Sequence, residues 1–243
     1  MASFSENTMT RSGTLFLVAT PIGNMSDITS RSATTLGAVD IVAAEDTRHS
    51  KKLFSILGIS PPSLVSFHSN NASQRTHLLV KKLKEGADVA LITDAGTPGI
   101  SDPGISLVQA AVENQILVSP IPGPSALILA ITASGFPSHR FLFEGFLPRK
   151  KGRQKRLESW VKEKRTIVFF ESPNRVVKTL SDIKEIMSDR QVCVAREITK
   201  VFEEFIRGEI SKVIETLELS GKIKGEITVV LAPQGFECNK SKP

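Results

Sequence analysis

The segment Val89-Ala90-Leu91-Ile92-Thr93-Asp94 runs directly into Ala95-Gly96-Thr97-Pro98-Gly99 and on to Asp102-Pro103-Gly104. A short, almost unbroken apolar run with β-branched residues reads as a strand buried on both faces, and the Gly, Pro and small polar residues after it read as a loop. The same pattern recurs on either side. Thr14–Thr20, Asp40–Glu45, Leu64–Phe67 and Ile116–Ile121 are further strand candidates. Helical patterns fill the gaps: Thr47–Leu57 stops at Gly58, and Asn71–Glu85 opens with Asn and Ser caps and stops at Gly86. Strands alternating with helices predict an α/β unit with a parallel, doubly wound sheet covered on both faces.

Beyond Ile121-Pro122-Gly123-Pro124 come a helix, Ser125–Ser134, and a linker-like Gly135-Phe136-Pro137. A second α/β unit follows, with strands Phe141–Leu147, Thr166–Glu171, Val192–Glu197, Phe202–Arg207 and Ile227–Leu231. Its helices fall near Gln154–Lys164, Pro173–Met187 and Ser211–Ser220. Between Val192 and Arg207 there is no room for a crossover helix, which predicts an antiparallel hairpin inside a mixed sheet. The expected plan is a disordered N-terminus at 1–12, an N-terminal domain at 13–124, a C-terminal domain at 125–233 and a flexible tail at 234–243.

Composition excludes several classes. With 40% hydrophobic and 23% charged residues the chain of 243 residues is an ordinary globular one. Two cysteines, Cys193 and Cys238, rule out a disulfide scaffold and fit a reducing, cytoplasmic setting, and the four scattered histidines have no metal-ligand spacing, so no metal is expected. No apolar stretch approaches the roughly 20 residues of a membrane span, so no membrane partner is expected. The net charge of +6 is concentrated: residues 149–165 hold nine Lys/Arg against Glu158 and Glu163, leaving the remainder near neutral.

Four loops are richer in Gly, Pro and small polar residues than a simple connection requires: Thr20-Pro21-Ile22-Gly23-Asn24, Asp94 to Gly104, Pro122-Gly123-Pro124-Ser125-Ala126, and Gly145-Phe146-Leu147-Pro148-Arg149. Three directly follow strands of the α/β pattern, where ligands of open sheets bind, and small residues allow a backbone to approach a ligand closely. No dinucleotide, P-loop or nucleophile-elbow motif occurs. A ligand with adenosine and carboxylate but no phosphate is compatible with that absence.

The series TPIGN (20–24), AAEDTRHS (43–50), SFHSNN (66–71), DAGTPGISDPG (94–104), PGPSA (122–126), GFLPRK (145–150), FFESPNR (169–175), REITK (196–200) and KGEITVV (224–230) closely resembles the ribosomal RNA small subunit methyltransferase I family, of the tetrapyrrole-methylase group. The likeness runs in order over nearly the whole chain, and nine motifs in order are far more specific than any one. It implies a two-domain fold with S-adenosyl-L-methionine in the cleft between domains and a homodimer as the usual assembly. It also implies methylation of the 2′-oxygen of a cytidine in the decoding centre of small-subunit ribosomal RNA, on free RNA or on the assembled subunit. Carried over position by position, Pro21, Thr93, Asp94, Thr97, Ser125, Ala126, Glu171 and Ile198 fall on the donor site. Where relatives have a glycine-rich second loop, this chain has Ile92-Thr93-Asp94, which shifts the neighbours of Asp94 towards backbone contacts.

Methyl transfer from a sulfonium is an in-line displacement, so positioning supplies most of the rate. A ribose hydroxyl is a weak nucleophile, and a carboxylate or an uncharged Lys in reach would help to remove its proton. Glu45, Asp46, Glu197, Lys200 and Glu226 are the candidates at strand ends, each equally readable as a cap or an Arg partner. Asp46 caps the helix after it in one reading; in the other, Arg48 and Asn24 contact RNA. The basic run has the same duality. It is a solvated helix face or, as we favour, an RNA track through Arg149, Lys150, Lys151, Arg153 and Lys155, with a gain on phosphate from counterion release. Two rivals stand beside this reading: a small-molecule methylase of the same fold, and an RNA-binding assembly factor without activity.

Overall fold

The computed structural model describes residues 12–60, 62–219 and 221–236, so the expectations for the first eleven residues, for Cys238 and for the chain beyond 236 lie outside the described residues. Contacts divide the chain into Met1–Pro124 and Ser125–Pro243.

The first unit alternates strand and helix throughout: β1 Leu15–Val18, α1 Ser30–Ala38, β2 Ile41–Ala44, α2 Thr47–Leu57, β3 Ser63–Ser66, α3 Ala72–Lys84, β4 Val89–Ile92, α4 Ile105–Glu113 and β5 Val118–Ile121. The five strands are parallel in the order β3-β2-β4-β1-β5. Two-residue periodicity sorts their side chains. Leu15, Val89 and Leu91 pack with Leu79 and Leu83 of α3 and Leu107 and Ala111 of α4. Val18, Ala90 and Ile92 turn to the other face with Leu36 of α1 and Leu53 and Phe54 of α2. Each such Leu or Phe contributes about 1.5–3 kcal/mol by leaving water, which makes double coverage the stable arrangement. α2 has the boundaries expected, capped by the Asp46 carboxylate on the Arg48 N–H and closed by Gly58 at φ 65°. Asn71, by contrast, does not cap α3; its side chain is taken by the His68 N–H and the Ser66 carbonyl.

The chain leaves β4 for the face of α3 and α4, while it leaves β1 and β2 for the face of α1 and α2. Loops therefore part on both sides of β4 at its carboxyl end, which is how an open α/β sheet forms a ligand crevice.

The second unit contains α5 Ala126–Ser134, β6 Phe141–Phe146, α6 Arg153–Ser159, β7 Thr166–Glu171, α7 Val176–Met187, β8 Gln191–Arg196, β9 Glu204–Glu209, α8 Ile210–Leu219 and β10 Ile227–Leu231. Its sheet is mixed, in the order β6-β7-β10-β8-β9, and β8 and β9 form the antiparallel hairpin expected. Ile167, Phe169, Val192, Val194 and Val229 face α6, α7 and α8, while α5 packs on β7, β8 and β10. Two expected elements are shorter. The helix expected to reach Lys164 ends at Ser159, because only Leu157 and the buried Trp160 anchor it and the chain then tightens into turns such as Glu163 N–H to the Trp160 carbonyl. The strand expected from Phe202 begins at Glu204, and Phe202 is left 73% exposed in the turn.

Candidate functional site

In the first unit the motif loops meet at the carboxyl end of the parallel sheet, and backbone and side-chain bonds join them. Thr20 and Gly96 exchange two backbone hydrogen bonds of 3.0 Å, tying the loop after β1 to the loop after β4. The buried Thr20 hydroxyl donates to the Thr93 carbonyl at 3.1 Å. Gly96 sits at φ 81°, and a Cβ there would stand 3.2 Å from Ile22, so both conformation and space call for glycine. The third loop is drawn in at two points: Thr97 donates through its hydroxyl to the Pro124 carbonyl at 3.1 Å, and a Cβ on Gly123 would lie 2.8 Å from that of Ala19.

On the other side of β4 the Asp46 N–H donates to the Asp94 carboxylate at 3.1 Å, and the Asp94 N–H approaches the Glu45 carboxylate at 3.5 Å. Asp102 completes this acidic edge. Burial pushes its carboxyl up to about 6, and the charges of Glu45 and Asp94 push in the same direction. Asp46 is the opposite case: hydrogen bonds from the Arg48 guanidinium and N–H, at 2.7 to 3.1 Å, hold it well below the usual carboxylate range.

Pro21, Thr93, Asp94 and Thr97 are thus brought together, with Glu45 and Asp46 beside them. Asn24 uses its side chain to cap the turn Met25–Asp27, and Arg48 is exposed but paired with Asp46. Asp102 is the residue that sequence reasoning missed. Its Asp-Pro-Gly signal was visible, yet the proximity to Glu45 and Asp94 is a property of the folded sheet.

In the second unit Ser125 precedes α5 without donating or accepting a capping bond, Ala126 begins that helix, and Ile198 is buried. At the opposite strand ends, Ile227 pairs with both Glu171 and Arg196, which places Glu171, the turn after β8 and Glu226 along one edge. Lys200 donates to Glu197 at 2.8 Å and Glu226 at 3.1 Å, and Glu197 also accepts the Glu226 N–H. Burial works against the Lys200 charge, but its hydrogen bonds to these two carboxylates outweigh it and raise its proton affinity; the bond from Lys200 lowers that of Glu197. Lys200 is therefore held charged. Glu197 and Thr199 have φ of 51° and 69°, a strained conformation for residues with a Cβ, at about 1–2 kcal/mol each.

The Glu171 side chain is fully buried and engaged: it accepts from the Ser172 N–H at 2.8 Å and the Thr179 hydroxyl at 2.7 Å, with Arg175 at 3.4 Å and Arg153 at 3.9 Å. Of the basic run, Arg153 turns inward to Asp182 and Thr179, Arg156 pairs with Glu144 and Arg165 with Glu163. Arg149, Lys150, Lys151 and Lys155 have no ion pair among the described residues, and Arg149, Lys150 and Lys151 are exposed.

Comparison with known proteins places this geometry in a family. A family model for tetrapyrrole (corrin/porphyrin) methylases matches residues 14–214. The chain is 50% identical over 220 residues to ribosomal RNA small subunit methyltransferase I of Thermotoga maritima, covering 90% of this chain and 98% of that protein. It is 46% identical over 222 residues to the protein of the same name from Micromonospora olivasterospora, covering 91% and 71%. Among solved structures, the methyltransferase CobJ is similar with a TM-score of 0.69 at 17% identity, over 93% of this chain and 97% of that one. Uroporphyrin-III C-methyl transferase from Thermus thermophilus, complexed with S-adenosyl homocysteine, is similar with a TM-score of 0.62 at 17% identity, over 90% and 97%. With the parallel and mixed sheets of the fold and a relative sharing half its residues along nine-tenths of its length, the chain belongs to the tetrapyrrole (corrin/porphyrin) methylase family, in its ribosomal RNA small subunit methyltransferase I group.

Proposed function

We propose that this protein transfers a methyl group from S-adenosyl-L-methionine to the 2′-oxygen of a cytidine ribose in the decoding centre of small-subunit ribosomal RNA, in the cytoplasm and as a homodimer. The observation that carries the reading is the joining of the loops after β1, β4 and β5 by the Thr20–Gly96 and Thr97–Pro124 bonds, with the acidic edge of Glu45, Asp94 and Asp102 alongside. The likeness to relatives named for ribosomal RNA supplies the substrate class.

The residues present fit the donor. Gly96 and Gly123 let the loops after β4 and β5 close against Ile22 and Ala19 of the loop after β1, and the sequence has no phosphate-binding motif to compete for the place. The carboxylates suit a ligand that carries ribose hydroxyls, an ammonium and a sulfonium. When bound, S-adenosyl-L-methionine supplies an electrophilic methyl group to an acceptor held in line with it.

Pro21, Thr93, Asp94 and Thr97 bind and orient the donor in this reading, and Ser125, Ala126, Glu171 and Ile198 are assigned to it on the resemblance alone. Asp46 is too weak a base and Lys200 is held protonated, so neither is suited to take the hydroxyl proton. Asp102, with a proton affinity near neutrality, is better matched to that task than either.

Incubation with radiolabelled methyl donor and, separately, unmodified small-subunit ribosomal RNA, assembled small subunits and a tetrapyrrole tests the assignment. Label in a cytidine 2′-O-methyl group is the expected result. Label in the tetrapyrrole alone overturns it.

A further inference from the structure

The second unit contains a groove of about 730 Å³ between the chain that follows β6 and the outer side of α7, lined by Arg149, Lys150, Arg153, Arg175, Lys178 and Asp182 among others. Its walls are held by one buried carboxylate. Glu171 pairs with Arg175, whose guanidinium donates to the carbonyls of Leu147 at 3.2 Å and Pro148 at 3.4 Å and so fixes the segment that presents Arg149 and Lys150. Glu171 also faces Arg153, whose guanidinium donates to Thr179 at 2.8 Å and Asp182 at 3.1 Å and so fixes α7, which presents Lys178.

Buried ion networks of this kind are weak sources of stability, because desolvation offsets their attraction. What this one achieves is position. Arg149, Lys150 and Lys178 are exposed around a concave surface, and Lys178 shares Asp182 with the better-placed Arg153. Arg153 Nη1 is itself buried without a hydrogen-bond partner, 3.9 Å from the Glu171 carboxylate. The lining carries five cationic side chains against Asp182 and Glu185, an excess that suits a chain of negative charges of fixed spacing.

We infer that this groove binds the phosphodiester backbone of the RNA substrate through Arg149, Lys150 and Lys178, with Arg153, Arg175 and Glu171 as positioning residues. The inference rests on the RNA reading of the function but narrows it: Lys151, Lys155, Lys162 and Lys164, although in the same basic run, do not line the groove and carry little of the binding.

The test is the salt dependence of binding to an unmodified small-subunit ribosomal RNA fragment, measured without methyl donor. Replacing Arg149, Lys150 and Lys178 together by Ala removes three phosphate contacts and makes the slope of log K against log salt shallower by about 2, at about 0.7 per phosphate on a single strand. The combination Lys151→Ala, Lys155→Ala, Lys164→Ala changes it by less than half as much. Equal slopes for the two triple variants, or no change in the first, overturn the groove. Competition by inorganic phosphate as effective as that by the RNA fragment, compared at equal phosphate concentration, also overturns it and marks a site for free anions. The functional reading fails separately, through wild-type protein that methylates a tetrapyrrole and not RNA. Unchanged donor binding in the first variant excludes misfolding as the cause of a shallower slope.

Discussion

The carboxylate of Asp94 accepts the backbone N–H of Asp46 at 3.1 Å, across the gap between the ends of β4 and β2. One side chain at the tip of the central strand thereby holds the start of α2, and with it the Glu45 and Asp46 pair, against the loop that leads to Asp102.

Asp94→Ala leaves the Asp46 N–H without its acceptor, at about 1–3 kcal/mol, and removes a charge from the proposed donor site. Donor affinity is expected to fall at least tenfold by calorimetry, while Asp94→Asn, which keeps an acceptor oxygen, loses less. Equal affinities for wild type and Asp94→Ala would show that this carboxylate has no part in donor binding.

Asp102 gives a pH dependence of definite sign. Its folded-state proton affinity, about 6, lies above the ordinary value of 3.8. Protonated Asp102 is the form the fold favours, so its contribution is fully present below about pH 4 and is lost as pH rises through about 6. Asp102→Asn is therefore expected to melt at progressively higher temperature relative to wild type as pH goes from 4 to 7. If Asp102 also accepts the ribose proton, wild-type kcat/KM rises through the same window and the Asn variant lacks that limb. Melting curves that stay parallel across this range refute the first expectation, and an unchanged rate profile the second.

Gly96→Ala forces a Cβ into a left-handed conformation 3.2 Å from Ile22. The expected cost is about 1–2 kcal/mol, or a fall in Tm of about 2–8 °C for a chain of this size, together with weaker donor binding. Gly58→Ala has similar strain but open space around it and is expected to lose stability without losing donor affinity.

Arg153→Ala strips the buried Glu171 carboxylate of one cation and Asp182 of the guanidinium that donates twice to its Oδ2. Breaking a buried pair in this way costs about 3–5 kcal/mol, measurable by denaturant unfolding. Glu171→Gln in the same background should recover part of the loss, since the fully buried carboxylate is then replaced by a neutral group; an additive further loss would contradict the clamp.

Cys193 is fully buried in β8, and burial pushes its thiol up to about 11, with the charge of Arg207 a smaller opposing influence. In a Cys238→Ser background the folded protein should react with a thiol reagent at neutral pH at least a hundredfold more slowly than the unfolded chain. Comparable rates would place Cys193 at the surface.

Much of this architecture was written locally. Val89–Ile92, Leu15–Val18 and Ile41–Ala44 are apolar on both faces, which only a doubly covered sheet tolerates, and Asp46 and Gly58 bound α2 because each satisfies orphaned backbone groups within a residue or two. The limits of α6 and β9 were less legible, because both depend on where Trp160 and Ile206 find a core. The motif loops were also legible as loops, and their order along the chain identified the family.

What sequence by itself determined, then, is the alternation of elements, the small-residue loops and the basic run, all consequences of periodicity and residue type over a few neighbours. Tertiary structure alone decided which charges are free. Arg153 is turned inward by Glu171, eighteen residues away in sequence, and Asp102 is drawn to Glu45 by the parallel pairing of β2 and β4. Proton affinity and ionic pairing depend on distance and burial in three dimensions, and neither quantity exists until the sheet has assembled.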